Sequence, residues 1–167
     1  MKKYIKILWI ILLIGLDQLV KAVIASNYEV GEGFPVIKDI LEINYVQNTG
    51  AAWGMMADST VFFAIFAFIV TIILLYVLFK IPADKSYNYL KITMVFLISG
   101  AVGNLIDRIC RKFVVDFIYF KIIDFPVFNI ADIYITVSGI ALVILVLFYY
   151  KEEQLEFLSL KKQKSNN

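Results

Sequence analysis

Four stretches of this chain, residues 5–24, 61–79, 90–109 and 130–150, run almost unbroken through apolar side chains. At 1.5 Å of rise per residue, a helix of about 20 residues crosses the roughly 30 Å hydrocarbon core of a bilayer. No water is present there to satisfy a free N–H or C=O, so such a segment must be a helix that pairs its own backbone. Composition agrees: 61% of the 167 residues are apolar, against roughly 45–50% in soluble domains, and mean hydropathy is +0.81. The expected fold is an all-α integral membrane protein, a bundle of four transmembrane helices forming a single domain over residues 1–167.

The basic residues orient it. Lys2, Lys3 and Lys6 precede the first span, Lys80, Lys85 and Lys91 surround the loop after the second, and a charged tail occupies 151–167. Cytoplasmic loops carry such lysines, so both termini are expected inside and the segments 26–59 and 110–128 outside. A net charge of +2 gives no reason to expect nucleic acid as a partner. No internal repeat is visible.

The first span admits two readings. A basic start, an apolar core to Leu16 and the run Val23-Ile24-Ala25 would also suit a cleaved signal peptide. Against cleavage, Asp17 and Lys21 lie four apart on one helical face with the acid first, the favourable order for an ion pair. A retained helix would turn that face into the bundle and let Lys21 snorkel to the outer interface.

The outer segment 26–59 contains turn punctuation at Gly31, Gly33 and Pro35, then a period-two strand signal at Leu41, Ile43 and Tyr45. The small-residue run Asn48-Thr49-Gly50-Ala51-Ala52-Trp53-Gly54 follows, with Trp53 suited to headgroup level. Asp58-Ser59-Thr60 is capping material for the second span, which carries no ionisable side chain. In the third span Gly100, Gly103, Asn104 and Asp107 recur at i, i+3, i+4 and i+7. That face is small and polar, suited to close helix packing in lipid, with Arg108 beside Asp107 for pairing.

The inventory of reactive side chains is short. The chain has no histidine and one cysteine, Cys110, which excludes Ser-His-Asp and Cys-His chemistry, a His/Cys zinc site and an internal disulfide. Hydrolysis would have to rest on carboxylates or on a Ser-Lys pair, for which Ser26 and Lys21 are the available residues. Cys110, beside Arg111 but without a base, reads as an inert thiol.

Two acids stand out. Asp116 closes Phe113-Val114-Val115-Asp116-Phe117, and Asp132 stands at the lip of the fourth span in Asn129-Ile130-Ala131-Asp132. Acids in apolar company at a membrane edge are functional candidates. Two carboxylates sharing a site cannot both ionise easily, so such a pair retains a proton near neutrality and can act as acid and base. The structural alternative stays open: Asn129 as a helix cap, Asp132 as an acid favoured by the helix dipole, and Asp116 as a loop residue. A carrier using Asp17 and Asp107 as proton sites is the non-enzymatic alternative, although carriers commonly show a repeat.

Five motifs in order resemble those of the bacterial lipoprotein signal peptidase (signal peptidase II) family of aspartyl peptidases. They are Asp17-Gln18-Leu19-Val20-Lys21, Asn48-Thr49-Gly50-Ala51-Ala52-Trp53, Gly100 to Arg108, Val114-Val115-Asp116-Phe117 and Phe128-Asn129-Ile130-Ala131-Asp132. The resemblance implies Asp116 and Asp132 as catalytic aspartates. It implies supporting or substrate-binding roles for Asp17, Lys21, Asn48, Gly50, Asn104, Asp107, Arg108 and Asn129. It implies a retained first helix, with a small extracytoplasmic β-cradle and a mobile interfacial helix in the first outer segment. The implied substrates are prolipoproteins carrying diacylglyceryl-cysteine, cut before that cysteine by a monomeric enzyme of the bacterial inner membrane. Membrane lipids are the other expected partner, and neither metal nor organic cofactor is required.

Overall fold

The apolar stretches form helices in the computed structural model, which describes residues 3–50 and 59–158. In chain order these residues form α1 (Lys3–Asn27), β1 (Gly33–Ile37), β2 (Leu41–Asn48), α2 (Thr60–Lys80), α3 (Asn88–Cys110), β3 (Val114–Phe120), α4 (Ile130–Ile144) and the short α5 (Glu152–Leu155). A π turn at Leu145–Tyr149 prolongs α4, and four helices are long and apolar enough to cross a membrane.

α3 is the hub. Two thirds of its apolar stretch (67%) is buried, against 17% or less in the other three spans, because α1, α2 and α4 all pack on it. Glycines allow the approach. A Cβ on Gly103 would stand 2.7 Å from Oδ2 of Asp17 on α1, and one on Gly100 would collide with the Ala131 carbonyl of α4. In lipid, where burial of apolar surface gives helices no reason to associate, such backbone proximity is a main source of packing energy.

The strands form one antiparallel sheet, ordered β1-β2-β3, at the end of the bundle where α3 stops and α4 begins. Ile24 of α1 and Tyr45, Val115 and Phe117 of the sheet make a buried cluster beneath it. The register sets Val46 opposite Asp116 and Asn48 opposite Val114. At the opposite end Leu78, Ile81, Leu90, Met94, Ile98 and Tyr150 form a second core, closed by the stacking of Tyr87 on Tyr150.

Several details depart from expectation. The strand signal at Leu41–Tyr45 is real, but β2 continues to Asn48. Gly31 makes the turn (φ +89°), whereas Gly33–Ile37 is an edge strand, where proline's missing N–H does little harm. The third strand comes from the second outer segment, where none was expected: both faces of Val114–Phe117 are covered, so the sequence lacks alternation. Ser59 makes no side-chain cap for α2, and the Thr60 hydroxyl instead donates to the Thr49 carbonyl at 2.9 Å. No interfacial helix occurs among the described residues of 26–59, and Trp53 and Asp58 lie outside the described residues.

Candidate active site

Asp132 owes its position to the start of α4. Asn129 is the cap residue; its side-chain oxygen accepts from the Asp132 N–H at 3.0 Å, while the Asp132 carboxylate accepts from the Asn129 N–H at 3.1 Å. This reciprocal capping box satisfies two otherwise unpaired donors and fixes the carboxylate on the helix rim. The other carboxylate oxygen accepts from Asn104 of α3 at 2.7 Å.

Asp116 reaches the same place from the sheet. The Asn129 side-chain nitrogen, unused by the cap, donates to Asp116 Oδ1 at 2.6 Å, and Asn48 donates to Oδ2 at 2.9 Å. The Gly50 N–H holds the Asn48 amide oxygen at 2.9 Å, leaving its nitrogen for Asp116. One residue, Asn129, therefore contacts both carboxylates.

Behind them is a buried ionic cluster. Lys21 lies 2.9 Å from Asp17, 2.9 Å from Asp107 and 2.9 Å from the Asn104 amide oxygen, and all three charged side chains are inaccessible to solvent. Each acid of the cluster also accepts a backbone N–H immediately before a candidate catalytic aspartate: Asp17 from Ala131 at 3.0 Å, and Asp107 from Val115 at 3.2 Å. Breaking a buried pair of this kind is destabilising because it strands a charge.

Asp116 and Asp132 line a cavity of about 420 Å³ whose other walls include Arg108, Phe125, Phe128, Ile133 and Val137. Arg108 donates to the carbonyls of Asn104 and Gly50 at 3.2 and 3.5 Å and lies over the Phe63 ring. Asp132 and Arg108 also border a second recess of about 330 Å³ between α2, α3 and α4, walled by Phe63, Phe66, Val70 and Leu97. Burial pushes the Asp116 carboxyl up to about 7, and the neighbouring charge of Asp132 adds to the effect, against the lowering influence of Asn48, Asn129 and Lys21. A carboxyl so placed can give and take a proton at neutral pH. Among the described residues no group of three or more acids or thiols stands close enough to hold a metal ion.

Residues 9–148 match the family model for signal peptidase (SPase) II. The chain belongs to the signal peptidase II family. A lipoprotein signal peptidase of Caldanaerobacter subterraneus is 43% identical over 134 residues, covering 80% of this chain and 89% of its own. One from Clostridioides difficile is 42% identical over 143 residues, covering 86% and 95%. Among solved proteins, a bacterial membrane enzyme determined by the in meso method at 2.3 Å is similar with a TM-score of 0.75 and 34% identity, covering 99% of this chain and 96% of that one. The family and the four apolar helices together make this a multi-pass bacterial membrane enzyme, a peptidase.

All ten residues singled out from the sequence meet around this one site, but not always as expected. Lys21 does not snorkel: it is fully buried, held by two carboxylates and an amide. Arg108 does not pair with Asp107; Lys21 and Arg111 do, the latter one turn further on, and its guanidinium also donates to Gln18 at 2.9 Å. Ser26 bonds to the Val23 carbonyl and is exposed, so no Ser-Lys pair forms. Asp116 is not a loop acid but a buried strand residue. Gln18 and Arg111 were missed, although Arg111 stands at i+4 from Asp107, the same acid-first spacing that links Asp17 to Lys21.

Proposed function

We propose that this enzyme is an aspartic endopeptidase that removes the signal peptide from diacylglyceryl-modified prolipoproteins, cutting before the lipidated cysteine, with Asp116 and Asp132 as the catalytic pair. The observation that carries the reading is the bridging of the two carboxylates by Asn129 at the wall of an otherwise largely apolar cavity. The whole chain serves as one peptidase domain, working as a monomer. Both termini lie in the cytoplasm and the sheet lies outside.

One carboxyl of the pair holds the proton at rest, and the other, charged, is the base. A water between them attacks the scissile carbonyl carbon and loses a proton to the charged member, while the neutral member protonates the carbonyl oxygen. The tetrahedral intermediate then returns a proton to the carboxylate that gave one as the C–N bond breaks, and the other carboxyl protonates the departing amine. General acid–base help of this kind is worth about 10²–10⁴-fold. Asn48, Asn104 and Asn129 orient the carboxylates. Arg108 and Gly50 face the substrate, while Asp17, Lys21 and Asp107 support the pair from behind. The two recesses meeting at Asp132 suit a substrate that brings both an apolar signal segment and acyl chains. A scissile peptide leaving its helix there would find polar groups for its freed backbone, a condition that lipid alone cannot meet.

Purified enzyme in detergent, given a lipid-modified prolipoprotein and no ion gradient, is expected to release a product whose new N-terminus is the lipidated cysteine, as read by mass spectrometry. The same protein without the lipid should be a much poorer substrate. Proton-coupled uptake into liposomes without proteolysis would instead favour a carrier built on Asp17 and Asp107.

A further inference from the structure

The buried cluster behind the dyad does not balance without Arg111. Asp17 and Asp107 bring two negative charges and Lys21 one positive charge, and all three are sealed from solvent. The fourth charge is Arg111, on the last turn of α3 and 27% exposed, which bonds to Asp107 Oδ1. Gln18 completes the arrangement: it accepts from Arg111 at 2.9 Å and donates to Asp107 Oδ1 at 3.1 Å and to the Gly103 carbonyl at 3.1 Å.

The two oxygens of Asp107 thus face opposite ways. Oδ1 is taken by Arg111 and Gln18, while Oδ2 meets Lys21 and the Val115 N–H. Val115 is fully buried and directly precedes Asp116, so the orientation of the Asp107 carboxylate is passed through a single peptide unit to Asp116. Arg111 is not among the described residues that line the cavity.

We infer that Arg111, with Gln18, is a positioning residue for the dyad, clamping Asp107 so that its second oxygen holds the Val115–Asp116 backbone in register. This rests on the proposed dyad. Loss of a charge-assisted hydrogen bond at such a point is expected to cost about tenfold in turnover.

The test uses the full-length enzyme in detergent with a lipid-modified prolipoprotein, comparing wild type, Arg111→Gln, Arg111→Lys and Asp116→Asn. Arg111→Gln should lower kcat about tenfold with KM within about twofold, and hydrogen exchange at the Val115 amide should quicken by about the same factor as kcat falls. Arg111→Lys, which keeps the charge, should recover most of kcat. Folded Arg111→Gln with wild-type kcat, or with slowed turnover that Arg111→Lys does not repair and unchanged Val115 exchange, would overturn the inference. If Arg111→Gln does not fold, Gln18→Leu carries the test: it should slow kcat about threefold at constant KM, and wild-type kcat would overturn the inference. Activity in Asp116→Asn would instead remove the dyad itself, whereas an inactive Asp116→Asn beside an unaffected Arg111→Gln removes only the role of Arg111.

Discussion

Asn129 donates to Asp116 across 13 positions of chain at 2.6 Å, while its own backbone N–H is held by Asp132 at 3.1 Å. Capping and dyad assembly are therefore one device. A residue whose ordinary task is to start a helix also spans the gap to a carboxylate on a different element.

The two tasks can be separated. Asn129→Ser keeps an oxygen to cap α4 but cannot reach Asp116, so folded yield and thermal stability should stay near wild type while kcat falls about 10²-fold. Asn129→Ala removes the cap as well and should lose about a further 1 kcal/mol of stability. Thermal unfolding in detergent, measured beside the cleavage rate, checks both; equal activity in Asn129→Ser and wild type would contradict the bridging role.

Asp116 carries a pH signature. In an unfolded chain an aspartate titrates near roughly 3.9, and here burial and Asp132 push it up to about 7. The folded state thus binds the proton more tightly, so this contribution to stability is complete below about pH 4 and is lost as pH rises through about 7. Wild-type stability should accordingly fall between pH 5 and pH 8, by on the order of 3 kcal/mol at most, with Tm falling alongside, and Asp116→Asn should flatten that fall. Cleavage should decline on the alkaline side of about 7 as the dyad loses its shared proton, an apparent value that belongs to the pair.

Lys21 is the common partner of Asp17, Asp107 and Asn104. Lys21→Met would strand the buried Asp17 carboxylate and leave Asp107 with Arg111 as its cation, and should destabilise the fold by roughly 3–5 kcal/mol. Differential scanning fluorimetry in detergent reads this directly, and a Tm within a degree of wild type would show that the cluster is not what holds α1 to α3.

Gly103 gives a steric test. A Cβ there would stand 2.7 Å from Asp17 Oδ2, inside contact distance, so Gly103→Ala should push α1 from α3 and cost roughly 1–3 kcal/mol. Gly15→Ala on the lipid-facing side of α1 meets nothing within 4 Å and serves as the neutral control. Equal stability of the two variants would contradict the close-packed seam.

Much of this was legible in the sequence because the physics was local. Apolar length fixed the spans, i+4 spacing joined Asp17 to Lys21, and the Asn129-to-Asp132 spacing announced the cap. What escaped was tertiary. Strand β3 is covered on both faces and has no alternation to read. The depth of Lys21 depends on two acids, one of them 86 positions away on another helix. Arg108 looked like the natural partner of Asp107 by adjacency, but neighbours in a helix point about 100° apart, and it is Arg111, one turn on, that shares the face. That Asp116 and Asp132 form a pair could be read from two acids in apolar company at the membrane edge and from the resemblance, but not the geometry of their meeting, since no pattern along the chain encodes how a strand folds back onto a helix rim.

In the proposed mechanism Asp116 and Asp132 together activate the water that cuts the signal peptide. The most direct measurement is single-turnover cleavage of a lipid-modified prolipoprotein by Asp116→Asn and by Asp132→Asn, each confirmed folded and inserted. Both variants should lose cleavage by at least about 10³-fold, with the double variant no worse than either alone, because the two carboxyls act as a unit. Full turnover by either variant would rule out Asp116 and Asp132 as the catalytic pair.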